Sequence, residues 1–145
     1  MRRIHFILIL GVFWTATGFA SNLSSEKVVE LRQSSMKTMV SHVRSLGSMA
    51  KGKSEFNLDE VKISFDGIAA QADQAIHLFR EEKTTPFAEA KAEIWQNYED
   101  FSDKANMLKQ VAMKFSDSVD SVEELRDSMM TIGQGCKACH SKYRE

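Results

Sequence analysis

Proline is almost absent from this 145-residue chain, with Pro86 the single example, and glycine occurs only seven times. So few turn formers exclude a fold of many short strands, which needs a break every several residues. Cysteine is scarce as well. The two present, Cys136 and Cys139, exclude a multi-disulfide scaffold and a four-thiolate zinc site within one chain. Neither charge is in excess, since 19 basic and 20 acidic side chains leave a net −1. A protein built to grip nucleic-acid phosphates shows a basic excess or stripe, so no nucleic-acid partner is expected. The charges are mixed along the chain and name no docking patch. Apolar content is what the chain does have: 43% hydrophobic residues suit a globular core and exceed what a disordered tail carries. The length allows one domain.

The longest apolar run stands at the start. Arg2 and Arg3 precede a run from Ile4 to Trp14, interrupted only by His5 and Gly11, and Gly18 and Ala20 then suit a signal-peptidase site. This order of basic, apolar and small residues predicts a bacterial secretory signal over residues 1–20, cleaved after Ala20. The run falls short of the roughly 20 residues that span a bilayer, so no membrane attachment is expected after cleavage. Removing Arg2 and Arg3 leaves 17 basic against 20 acidic side chains, or −3, on a mature domain at 21–145. The expected compartment is the periplasm.

From Ser21 onward apolar residues recur at three and four, the helical period. The first run takes Val29, Met36, Met39, Val43, Leu46 and Ala50, ending among Gly47, Lys51, Gly52 and Lys53. Asn57 and Glu60 have the spacing of a capping-box variant and open a second run through Leu58, Val61, Phe65, Ile68, Ala72, Ala75 and Phe79. Residues 81–90, with Thr84, Thr85 and Pro86, form the longest connection. A third run takes Ile94, Tyr98, Phe101, Ala105, Leu108, Ala112 and Phe115. Ser121 and Glu124 repeat the cap spacing before a fourth: Val122, Leu125, Met129, Ile132, Cys136, Cys139 and Tyr143. No segment alternates as a half-buried strand does. Four such runs predict an all-α fold, an antiparallel four-helix bundle.

The fourth seam ends in Cys136-Lys137-Ala138-Cys139-His140. C-x-x-C-H is the attachment signature of c-type haem. Two thiols three positions apart share a helical face and can each add to a vinyl group of one porphyrin, and the next residue, His140, becomes the proximal iron ligand. A thioredoxin-like dithiol needs a βαβ context that this pattern lacks. Zinc needs further ligands, and His42 and His77 have no paired spacing; both read as surface residues. A simple disulfide would leave His140 unexplained.

Cys-Lys-Ala-Cys-His-Ser-Lys-Tyr-Arg at 136–144, Arg32-Gln33 in the first run and Glu93-Ile94-Trp95 opening the third together resemble the cytochrome c′ family over essentially the whole mature chain. The resemblance implies one covalent haem inside a left-handed four-helix bundle, and a possible homodimer through the first two helices. In that family the distal position, three places after the Gln of the Arg-Gln pair, is often an apolar residue that leaves the iron five-coordinate. Here it is Met36, which resembles the six-coordinate, low-spin branch. The resemblance makes His140 and Met36 the axial iron ligands, with Met39 in reserve. It sets Arg32 and Gln33 at a haem propionate, for which a guanidinium fork is well shaped, and Arg144 near the proximal edge. Eight methionines are enough for any one to be core filling, and Trp95 and Phe79 read as ordinary core.

A His/Met iron carries single electrons and has no substrate, which makes the chain an electron carrier serving redox partner proteins rather than an enzyme. The alternative is a five-coordinate protein that binds nitric oxide or carbon monoxide. Residue 36 discriminates the two. A peroxidase would want a distal His or Arg over the iron, and Arg32 alone stands near.

Overall fold

The computed structural model describes residues 23–145, so the expected signal at 1–20 lies outside the described residues. The chain forms α1 (Ser25–Ala50), α2 (Leu58–Leu78), a single turn α3 (Glu93–Gln96), α4 (Tyr98–Ser118) and α5 (Val122–Tyr143). Among the described residues the only β pairing is an isolated antiparallel bridge between Ala90 and Arg144.

Local chemistry sets these boundaries. Oxygens of Ser24, Asn57 and Ser121 accept from the amides of Lys27, Glu60 and Glu124 and start three helices. Only part of the expected capping box forms at Asn57, because Glu60 instead accepts from Ser45 on α1 at 2.8 Å. α1 stops in a Schellman turn: Lys53 N–H donates to Ser48 O at 2.9 Å and Gly52 N–H to Met49 O at 3.0 Å. Gly52 supplies the required φ of 65°. Gly47, read as part of that stop, lies inside the helix. The third run, expected as one helix, breaks at Asn97 (φ −132°, ψ 46°). The break turns Trp95 and Tyr98 toward the end of α2, where the indole N–H donates to Phe79 O at 3.0 Å and the Tyr98 hydroxyl to Ile76 O.

The four long helices close a ring in which α2 lies between α1 and α4, and α5 completes it against α4 and α1. The backbones of neither diagonal pair come close, which is the arrangement of an antiparallel bundle with sequential neighbours. α2 is held closely by both neighbours and α5 more loosely. Each pair has a readable register. His42 lies over Gly67 between α1 and α2, and Lys109 pairs with Asp73 at 2.8 Å between α4 and α2. Leu108 meets Gly135, and Lys142 pairs with Asp100 at 2.9 Å, between α4 and α5. Met129 touches Gly47, and Arg126 donates to Ala50 O at 2.9 Å, between α5 and α1.

The core is in two parts. One contains Met39, Leu46, Val61, Phe65, Ile68, Ala72, Ala112, Leu125 and Ile132, with Leu108 and Cys136 against it. The other contains Ala75, Phe79, Ile94, Phe101 and Tyr143, with Met36, Trp95 and Cys139 against it. Fully buried side chains such as Phe65, Leu125 and Ile132 each contribute about 1.5–3 kcal/mol by burial. The boundary falls between Met36 and Met39, between Ala72 and Ala75, and between Cys136 and Cys139.

Candidate haem-binding site

The last two turns of α5 carry the site. Cys136 and Cys139 are unpaired, half-buried thiols on one helical face, placed across the boundary between the two core parts. Burial raises the pKa of both, that of Cys139 to about 11. Reactive redox dithiols are activated by a lowered pKa, so these two are poor redox thiols and remain protonated at neutral pH. His140 is exposed by surface area, yet enough protein surrounds the ring that burial, then Arg144, holds its pKa below the usual value against the opposing pull of Glu89. Its neutral imidazole, the ligating form, is favoured.

Met36 is half-buried and packs against the same part of the core as Cys139. The α1–α5 register brings it opposite His140. Met129 meets Gly47, and Ala50 accepts from Arg126 three positions earlier on α5. Carried along two antiparallel helices, that pairing sets residue 36 level with residue 140. Met39 is buried in the other part of the core.

Arg32 is buried, with 4% of its surface exposed. Its Nε donates to Leu78 O at 2.9 Å, one terminal nitrogen to Glu81 O at 2.8 Å and the other to Lys83 O. The guanidinium lies 4.5 Å from the Phe79 ring centroid and 5.4 Å from that of Trp95. It therefore caps the carbonyls that leave α2, and two of its five N–H groups remain free for another acceptor. Gln33 is exposed beside Glu30, Thr85 and Phe87. Arg144 is exposed and paired with Glu89 at 2.5 Å. Main-chain bonds from Lys91 to Tyr143 O at 3.0 Å and from Glu145 to Glu89 O at 2.9 Å bind the end of α5 to the long connection.

Of the residues read as ordinary, Phe79 is buried core, Trp95 is half-buried and His77 is exposed. His42 departs from its reading as a surface residue. It is half-buried, with its imidazole filling the space that Gly67 leaves on α2. Asp100 was not singled out in the sequence. It accepts from Lys104 at 2.6 Å, from Lys142 at 2.9 Å and from the buried Tyr143 hydroxyl, and these donors hold its carboxyl far below the usual range. This cluster locks the start of α4 to the residues after His140. A Lys four residues after Asp100 was its only trace in the sequence.

The residues fit a c-type haem. The donor set is two protonated thiols on one face, a neutral imidazole beside them and a thioether level with it on the facing helix. The small Ala72, Ala75 and Ala105 stand on α2 and α4 around the core boundary.

A sequence profile of cytochrome c′ matches residues 27–144. The chain is 32% identical over 117 residues to cytochrome c-556 of Agrobacterium tumefaciens, covering 80% of this chain and 95% of that one. It is 29% identical over 127 residues to cytochrome c′ of Halomonas halodenitrificans, covering 82% and 96%. Among solved structures, cytochrome c prime of Shewanella frigidimarina superposes with a TM-score of 0.73 at 25% identity, over 84% of this chain and 97% of that one. A nitrosyl complex of a cytochrome c prime variant from Alcaligenes xylosoxidans shares the fold, with a TM-score of 0.73 at 24% identity over 84% and 98%. The chain belongs to the cytochrome c′ family, and its cofactor is covalently attached haem c.

Proposed function

We propose that this protein is a periplasmic monohaem electron carrier whose iron is held by His140 from α5 and Met36 from α1. The level placement of these two residues across the α1–α5 pair carries the reading. Bound haem supplies a one-electron iron couple, and a His/Met axial pair raises its potential toward electron transfer. Cys136 and Cys139 tether the porphyrin from one face of α5. His140 offers a neutral nitrogen and Met36 a thioether from the facing helix, and together they would hold the iron and keep gases out. The two free N–H groups of Arg32, with Gln33 and Arg144, serve the propionates. The rest of the Arg32 fork is committed to carbonyls at and beyond the end of α2, so this side chain is not free to stand over the iron as a peroxidase arginine would. No described helix is long and apolar enough to cross a membrane.

The nitrosyl complex of the Alcaligenes relative supports a second reading, in which Met36 leaves the iron and a gas binds there. Absorption spectra of the haem-loaded protein, oxidised and dithionite-reduced, before and after carbon monoxide, decide between them. Sharp reduced bands unmoved by the gas, with a weak oxidised band at about 695 nm, are expected of His/Met ligation. Reduced bands that shift under carbon monoxide would leave His140 as the sole ligand and make gas binding the function.

A further inference from the structure

The near-neutral total charge conceals a segregation. No Asp or Glu occurs from residue 31 to 54 or from 128 to 144, yet these stretches hold eight Lys and Arg. The remainder of the chain therefore carries 11 basic against 20 acidic side chains. The acid-free stretches fall on α1 and α5, which are neighbours.

On α1 the residues 33, 37, 40, 44 and 51 form one stripe, and on α5 the residues 126, 130, 133 and 137 form another. Gly47 and Ala50 of α1 meet Met129 and Arg126 of α5, so the stripes flank the α1–α5 crevice on its solvent side. Lys37, Arg44, Lys51 and Lys137 are exposed, and none is in an ion pair among the described residues. Between them lie Val40, 43% exposed, and Met130, 63% exposed. The crevice beneath is the one in which Met36 and His140 stand level. From 33 to 51 on one stripe and from 130 to 137 on the other every charge is positive, with Glu26 and the Arg126–Glu123 pair only at the ends, and an exposed apolar centre with such a rim is the anatomy of a transient protein interface.

We propose that this α1–α5 face is the electron-transfer docking surface and that it takes an acidic redox protein, an inference that rests on the electron-carrier reading. Charge complementarity selects the partner. Fields from unpaired cations on a low-dielectric surface steer an acidic protein onto the crevice even though the carrier as a whole is negative. The transfer passes one electron from iron(II) to the oxidised acceptor, and no bond or proton changes.

Net charge and local charge predict opposite responses to salt. Ferrous holoprotein is oxidised by ferricyanide, and by a plastocyanin as an acidic copper(II) protein, between about 10 mM and 300 mM salt, where screening runs from weak to strong. Docking at the basic face makes both rates fall as salt rises. K37E/R44E/K137E slows both at low salt by about tenfold or more and reverses the dependence, while the control K62E/K114E, two charge reversals against three, at the far end of the α2–α4 face, preserves it. Without electron transfer, the parent is retained on a sulfonate resin at pH 7 and K37E/R44E/K137E is not. Rates that rise with salt in the parent, or an unchanged dependence in the triple variant, would overturn the proposal. Loss of plastocyanin steering together with sedimentation on vesicles of about 30% phosphatidylglycerol would also overturn it, assigning the face to a lipid surface. Ferricyanide oxidises the iron whether or not Met36 is bound, so failure of the carrier reading appears in the carbon monoxide spectra and failure of the docking face in the salt dependence.

Discussion

Replacing Arg32 with Met tests whether the haem end of the bundle depends on a buried cap. Met fills much of the same volume but donates nothing, leaving the carbonyls of Leu78, Glu81 and Lys83 to find other partners. Each charge-assisted bond contributes about 1.5–3 kcal/mol where its acceptor stays dry. These carbonyls lie at a helix end and regain water when the connection loosens, so the net loss is about 2–4 kcal/mol rather than the sum. For a domain of this size that corresponds to a fall of about 8–15 °C in Tm. Burial lowers the pKa of Arg32, but from a value high enough that the charge persists at neutral pH. Lys in its place keeps the charge without the fork, so R32K should recover at most about half of the loss. The assay is urea and thermal unfolding of the holoprotein by circular dichroism. A loss below about 0.5 kcal/mol in R32M, or full recovery in R32K, would show that the three bonds do not hold the connection.

Met36→Ala should give a high-spin ferrous haem that binds carbon monoxide, read in the visible spectrum; a variant with the parent spectrum removes Met36 as a ligand. A Cβ at Gly67 would stand 2.5 Å from Cδ2 and 2.6 Å from Cε1 of His42. G67A is therefore expected to cost about 1–3 kcal/mol in the parent but to stabilise an H42A background, where only helix propensity changes; equal effects in both would refute the contact. The depressed pKa of Asp100 stabilises the fold above the unfolded carboxyl value of about 4 and is lost as pH falls toward the folded value. D100N should be less stable at pH 7 and show a shallower decline below about pH 4, measured by thermal melts across pH. Leu125→Ala, at a fully buried site, should cost about 2–5 kcal/mol.

Helical periodicity was enough to locate the four long helices, because each buries one stripe and the stripes survive in the sequence. It could not locate the break at Asn97, since Ile94, Tyr98 and Phe101 keep their three-and-four spacing across it. The thiols and His140 were legible because haem attachment needs consecutive turns of one helix. Arg32 was read as a propionate partner through the family resemblance, and its role as a buried cap was not legible because its acceptors lie 46 to 51 residues away. His42 was misread for the same reason, its niche being a glycine on another helix. The basic face escaped because charge was summed over a chain whose α2–α4 side cancels it.

The split core makes the two ends of the bundle unequal in autonomy. The part built on Leu46, Val61, Phe65 and Leu125 is complete with protein side chains alone, and its amides should exchange with solvent only on global opening. The part around Met36, Cys139 and Tyr143 is the smaller cluster and carries the candidate haem residues, so before attachment it is expected to be the less stable of the two. Opening of that part, which must release the contacts of Lys142 and Tyr143 with Asp100, is then expected to cost less than global unfolding. The attachment machinery would meet a chain that presents its two thiols without having to unfold.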